Sequence, residues 1–100
     1  MRSLLFEYAT QDKDINGAVT SIKGRYPEEG WMHNEVCKEM IYIIKGSGAL
    51  VTKNKRTKFE AGDIIIINPK EEYYWKGEMQ HFVASIPPWY PQQHKRKQSP

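Results

Sequence analysis

The sequence has a single cysteine, Cys37, which excludes an internal disulfide and fits a reducing compartment, so the cytoplasm is the expected location. It has no apolar run long enough to cross a bilayer as a helix, and the opening stretch MRSLLFEYAT breaks its short apolar run at Glu7, before a signal-peptide core could form. No membrane partner is expected. Paired-cysteine spacing for zinc, a glycine-rich phosphate cradle and a serine-nucleophile motif are all missing. Charge of one sign is scarce as well: the formal net charge is +3, and Lys95, Arg96 and Lys97 near the C-terminus account for it, leaving a neutral body. A short basic cluster is not the basic face that nucleic acid requires, so no nucleic-acid partner is expected either. Helical periodicity is also wanting, since no segment of about ten residues keeps an apolar stripe between caps.

What is present is alternation. Short runs rich in β-branched and aromatic residues recur as LLFEYA, AVTSIKG, MIYIIKG, ALVTKN, DIIIINP, YYWKG and HFVASIPP. Turn formers punctuate them: DKDING, GSG at 46–48, KNKRT and EAGD at 60–63. About seven or eight strands at even spacing predict a small antiparallel β-barrel or sandwich. The run Ile64 to Ile67 lacks alternation, which predicts burial on both faces, one of them against a second layer or subunit, and hence a homodimer. PPWYP at 87–91 cannot continue a ladder and is expected to wrap the barrel surface with Trp89 and Tyr90 as anchors. The domain is expected over 1–92, with 93–100 a basic, disordered tail.

Polar groups break the pattern at GWMHNEVCKEM, residues 30–40. In an extended segment His33, Glu35 and Cys37 share one face, and in the next strand Glu39 shares a face with Ile41 and Ile43. A carboxylate on an interior apolar face costs several kcal/mol (about 3–5) unless it meets a cation or strong donors. Two glutamates and an imidazole converging in a barrel suit a divalent first-row metal. Surface exposure of His33 and Glu35, or pairing of Glu39 with a lysine or a tyrosine hydroxyl, accounts for the same residues without one. Trp31 and Trp75 are candidate aromatic walls or core filling. Trp75 shares a face with Tyr73 by alternation, whereas the facing of His81 is left open. Cys37 is a soft ligand or, more commonly, a small buried hydrophobe.

The same residues carry a family resemblance. The stretch from His33 to Gly46 resembles the first cupin motif, His-x-His, three or four residues, Glu, six residues, Gly, with Glu35 in the second histidine's place and Glu39 in the glutamate's. Pro27 replaces the glycine expected upstream. In the second motif GDIIIINPKEEY keeps Gly62 and Asp63, has Asn68 and Lys70 where proline and glycine usually fall, and puts Tyr73 where a histidine belongs. The resemblance runs from about Gly17 to PPWYPQQH and implies an all-β, cupin-like jelly-roll barrel (a double-stranded β-helix), commonly dimeric. It implies an interior site for a polar small molecule, with one divalent metal (Mn, Fe, Ni, Cu or Zn) held by His33, Glu35 and Glu39. Tyr73, a poor ligand as a neutral phenol, would orient the ligand or exchange a proton. An enzyme built so would be a metal-dependent isomerase, lyase or oxygenase. Two readings stand beside it: a metal-free module binding a sugar-like ligand through His33, Glu35, Glu39, Tyr73 and Trp75, and a purely structural barrel. Without a metal, closeness of Glu35 and Glu39 would raise a carboxyl pKa.

Overall fold

A computed structural model of the chain describes residues 2–8 and 12–98. Eight strands follow one another: β1 (Arg2–Tyr8), β2 (Asn16–Tyr26), β3 (Trp31–Asn34), β4 (Lys38–Thr52), β5 (Arg56–Glu60), β6 (Ile64–Ile67), β7 (Tyr73–Ile86) and, after a short 3-10 turn at Pro91–Gln93, β8 (His94–Lys97). No α-helix occurs among the described residues, so none is present to cross a membrane. All pairings are antiparallel, in the order β1-β2-β7-β3-β8, with β4 on the other side of β7 and carrying β5 and β6 on its outer edge. The single sheet rolls into an open, jelly-roll-like barrel around a core that includes Ile22, Ile41, Ile43, Phe59, Trp75 and Met79.

Two long strands replace four expected short ones. MIYIIKG and ALVTKN are one strand, β4, and YYWKG and HFVASI are one strand, β7, paired from Lys38↔Ile86 to Thr52↔Tyr73 with a register shift between Ile43 and Lys45. GSG is therefore a bend inside a strand, not a joint between two. Gly48 lies opposite Gly77, and a Cβ at Gly48 would come within 2.3 Å of the Lys76 carbonyl oxygen, one at Gly77 within 2.5 Å of that of Ser47. Absence of side chains lets the two backbones cross closely and turns the sheet over on itself. The KNKRT and EAGD turns form as expected, closed by bonds from Thr52 N–H to the Lys55 oxygen (2.9 Å) and from Asp63 N–H to the Glu60 oxygen (3.1 Å).

Three further expectations are corrected. Within one chain the isoleucine run does alternate: Ile67 is buried, while Ile64 and Ile66 face solvent, Ile64 at 63% exposure. Residues 94–97 are not a loose tail but an edge strand against β3, from Asn34↔His94 to Trp31↔Lys97. Buried Gln93 anchors it: its Oε1 accepts the N–H groups of Val36 (3.0 Å) and Cys37 (2.8 Å), and its carbonyl accepts Glu35 N–H (3.0 Å). Of the two expected anchors, Trp89 is half-buried and donates its indole N–H to Asn34 Oδ1 at 2.9 Å, but Tyr90 is exposed.

Candidate functional site

Alternation on the five strands that line the cavity, β2, β3, β4, β7 and β8, brings a small set of polar side chains inward. On β4 it points Glu39, Ile41 and Ile43 in and Met40, Tyr42 and Ile44 out, as the sequence predicts. On β7 it points Tyr73, Trp75, Met79, His81 and Ser85 in. Together with β2 and the C-terminal segment these enclose a cavity of about 380 Å³, among whose walls are Glu39, Tyr73, Trp75, His81 and Ser85.

Glu39 and Ser85 are register partners, and the Ser85 hydroxyl donates to Glu39 Oε2 at 3.3 Å. Burial pushes the Glu39 carboxyl up to about 7, the serine bond offsetting part of that rise. Near neutral pH the group therefore exists in both protonation states. His81 moves the other way: burial lowers its pKa to about 4, so its ring is neutral. That ring stacks on Trp75 with centroids 4.9 Å apart and planes at 25°, and its Nδ1 is buried without a partner among the described residues. Trp75 is held in turn edge-on by Phe59 (5.6 Å, 77°) and Tyr73 (6.2 Å, 84°). The Tyr73 phenol is raised well above its ordinary value, first by burial and then by Glu39, Cys37 and Tyr26. It remains a neutral hydroxyl, able to donate and unsuited to binding a metal as phenolate.

Of the sequence-predicted site residues, Glu39, Tyr73 and Trp75 reach the cavity; His33 and Glu35 do not. On β3 the inward residues are Met32 and Asn34, so His33 faces away and bonds Glu35, Nε2 to Oε1 at 2.7 Å. That bond is the main cause holding the Glu35 carboxyl below its usual range. The expected proximity of the two glutamates is thus replaced by two separate environments, and burial alone raises Glu39. Nor does the structure gather the proposed metal set: among the described residues no group of three or more His, Cys, Asp or Glu side chains is placed to hold a metal ion. The cupin-motif donors, as placed, do not fit a resident metal. Cys37, 1% exposed, is a buried hydrophobe whose thiol burial pushes up to about 11. Trp31 stands outside the cavity, tilted against Tyr74 at 5.2 Å with the Lys53 ammonium 4.6 Å from its ring centre.

Sequence reasoning left His81 open and missed Ser85, Asn34, His94 and Arg96, all of which line the cavity. For His81 and Ser85 a signal existed, because both share parity with Tyr73 and Trp75 and would face inward on one unbroken strand.

An open β-barrel whose mostly apolar interior cavity carries a few convergent polar groups defines a small-molecule-binding architecture. The chain belongs to the cupin family: the cupin domain model matches residues 19–80. The Streptomyces protein Pac13, described as a unique nucleoside dehydratase, superposes with a TM-score of 0.86 at 17% identity, covering 96% of this chain and 78% of that one. A variant of it with uridine superposes with a TM-score of 0.87 at the same identity and coverage. An RmlC-like cupin from Desulfovibrio desulfuricans gives 0.72 at 12% identity, over 88% of this chain and 85% of that one. No curated protein sequence matches this one. At these identities the likeness is one of fold.

Proposed function

We propose that this chain binds a small polar, ring-bearing molecule in the barrel cavity without a resident metal, and that Glu39 exchanges a proton with it. The observation that carries the reading is the pairing of a carboxyl poised near 7 with a neutral, partly unpartnered imidazole on the walls of one cavity. A group with a pKa near ambient pH gives and takes protons with least penalty. Tyr73 supplies a hydroxyl that stays protonated, and Trp75 an aromatic wall. That chemistry is isomerase or lyase chemistry: a proton leaves one ligand atom for the Glu39 carboxylate, and the resulting Glu39 acid returns it to a different ligand atom or to the leaving group. The uridine seen with a structural neighbour supports a nucleoside-like or sugar-like ring as the first ligand class to try.

Calorimetric titration of chelator-treated protein with uridine tests this. Binding that survives chelation and weakens at least tenfold in Glu39→Ala supports the reading. Binding that appears only after a divalent metal is restored refutes it.

We also infer that the protein works as a homodimer. Register places Met40 beside Ile66 and Tyr42 between Ile64 and Phe82 on the outer face of the sheet. These side chains and Ile86 are exposed, forming a continuous apolar surface of the kind proteins cover with a partner. A second copy is the occupant we assign, since the patch lies on a sheet face and the register puts no charged residue between Met40, Tyr42, Ile64, Ile66 and Phe82.

A further inference from the structure

The edge strand β8 brings a permanent positive charge to the cavity. Because Met32 pairs with Arg96 and Asn34 with His94, and Met32 and Asn34 face inward, Arg96 and His94 face inward as well, and all four line the cavity. Lys95 and Lys97 take the opposite face, where Lys97 reaches Glu72 at 3.8 Å. The strand HKRK is therefore two-sided, with its guanidinium at the exposed rim of the cavity.

Arg96 has only neutral company there. Its Nη2 donates to the Tyr26 hydroxyl at 2.9 Å, and its guanidinium carbon lies 5.2 Å from the centre of the same ring. Among the described residues no carboxylate comes within ion-pair distance of it. Glu39 is the one carboxyl among the lining residues, and its shift comes from burial and Ser85, with no contribution from Arg96. A guanidinium offers five N–H donors in a planar fork, so most of its bonding capacity is open to a ligand.

His94 completes the wall. Asn34 Oδ1 accepts from the Trp89 indole N–H at 2.9 Å and lies 2.9 Å from His94 Nδ1. An indole N–H can only donate, which fixes that atom of Asn34 as the oxygen and makes His94 Nδ1 the donor. Burial, Arg96 and His33 together lower the His94 pKa, so the ring is held neutral. Its Nε2 then carries a lone pair, on a residue that shares the cavity-facing side of β8 with Arg96. An oxyanion carrying one proton, or an anionic group attached next to a hydroxyl, matches that donor and acceptor arrangement.

We propose that Arg96, with His94 beside it, forms an anion subsite at the cavity wall, so that the natural ligand carries a phosphate or carboxylate in addition to its polar ring. This rests on the reading of the cavity as a small-molecule site and narrows its ligand class. Bidentate recognition of such a group is the role to which a guanidinium fork is best shaped.

Two titrations test it on the full chain, with Arg96→Gln and Arg96→Lys as variants. Uridine and uridine 5′-monophosphate are compared by calorimetry, and inorganic phosphate alone is followed through the Arg96 Nε–H signal in NMR. The expected results are a phosphate-induced shift of that signal and about tenfold or more tighter binding of the monophosphate, as charge-assisted hydrogen bonds supply. Arg96→Gln should abolish the preference and Arg96→Lys restore part of it. Equal binding of uridine and its monophosphate, or a preference that persists in Arg96→Gln, overturns the subsite while leaving the cavity reading intact. If neither nucleoside nor nucleotide binds but phosphate moves the Arg96 signal, the ring reading fails and the subsite stands. An unmoved Arg96 signal overturns the subsite.

Discussion

Glu39 and His81 impose opposite pH dependences on stability, and removing either exposes the other. The Glu39 carboxyl rises from 4.5 in the unfolded chain to about 7 in the folded one. Between those values the folded state binds the extra proton, so stability falls as pH rises through the window. His81 falls from 6.5 to about 4, and between those values the unfolded state binds the extra proton, so stability is lost as pH falls. Each displacement corresponds to roughly 3 kcal/mol across its full window. In the wild type the two slopes oppose one another between 4.5 and 6.5. Glu39→Gln keeps a buried hydrogen-bonding group but cannot ionise, leaving the His81 slope alone: relative to wild type, the variant should gain roughly 3 kcal/mol between pH 4.5 and 8. His81→Gln should do the reverse, losing stability relative to wild type as pH rises from 4 to 6.5. Urea unfolding followed by tryptophan fluorescence, at pH steps and constant ionic strength, reads both differences, and subtraction from wild type cancels the remaining carboxylates. A Glu39→Gln curve parallel to wild type across this range would refute the assignment of Glu39 as a buried, proton-holding carboxyl.

Three other outcomes follow from local geometry. Gln93→Ala strands the Val36 and Cys37 N–H groups that now share Oε1 and should cost about 2–4 kcal/mol in urea unfolding, with two donors left unpaired. Lys70 stands at φ 68°, the left-handed region, at the motif position where cupins usually have glycine; Lys70→Gly should raise stability by about 0.5–1 kcal/mol, and a loss would show that the lysine side chain makes up for its backbone. Ile64→Glu on the exposed face should convert a dimer into a monomer in sedimentation velocity with the far-UV spectrum unchanged, whereas a wild type already monomeric at tens of micromolar would refute the interface.

Strand identity was largely legible in this sequence because alternation and turn residues are local signals. Strand length was not. Gly46, Gly48 and Gly77 read as breaks along the chain, yet each sits where two backbones approach too closely for a Cβ. That contact joins residues about thirty positions apart and leaves no local trace. The same failure hid His81, whose facing follows at once when β7 is one strand. For β8 the composition HKRK argued for a solvated tail, but the strand is fixed by Gln93 and by pairing to β3, partners that composition cannot reveal. The interior place of Glu39 beside Ile41 and Ile43 was legible from spacing. His33 was not, because the bend between Asn34 and Lys38 shifts the inward parity from even residues on β3 to odd ones on β4.

The three tryptophans, Trp31, Trp75 and Trp89, offer a built-in control for the central claim of a metal-free ligand cavity. Trp75 and Trp89 line it and Trp31 does not. Recording the three indole N–H signals by NMR while uridine is added to chelator-treated protein separates cavity binding from surface binding. The account predicts that Trp75 and Trp89 shift together in a saturable way while Trp31 stays fixed. Movement of Trp31 alone, or shifts of Trp75 and Trp89 that arise only when a divalent metal is supplied, would contradict it.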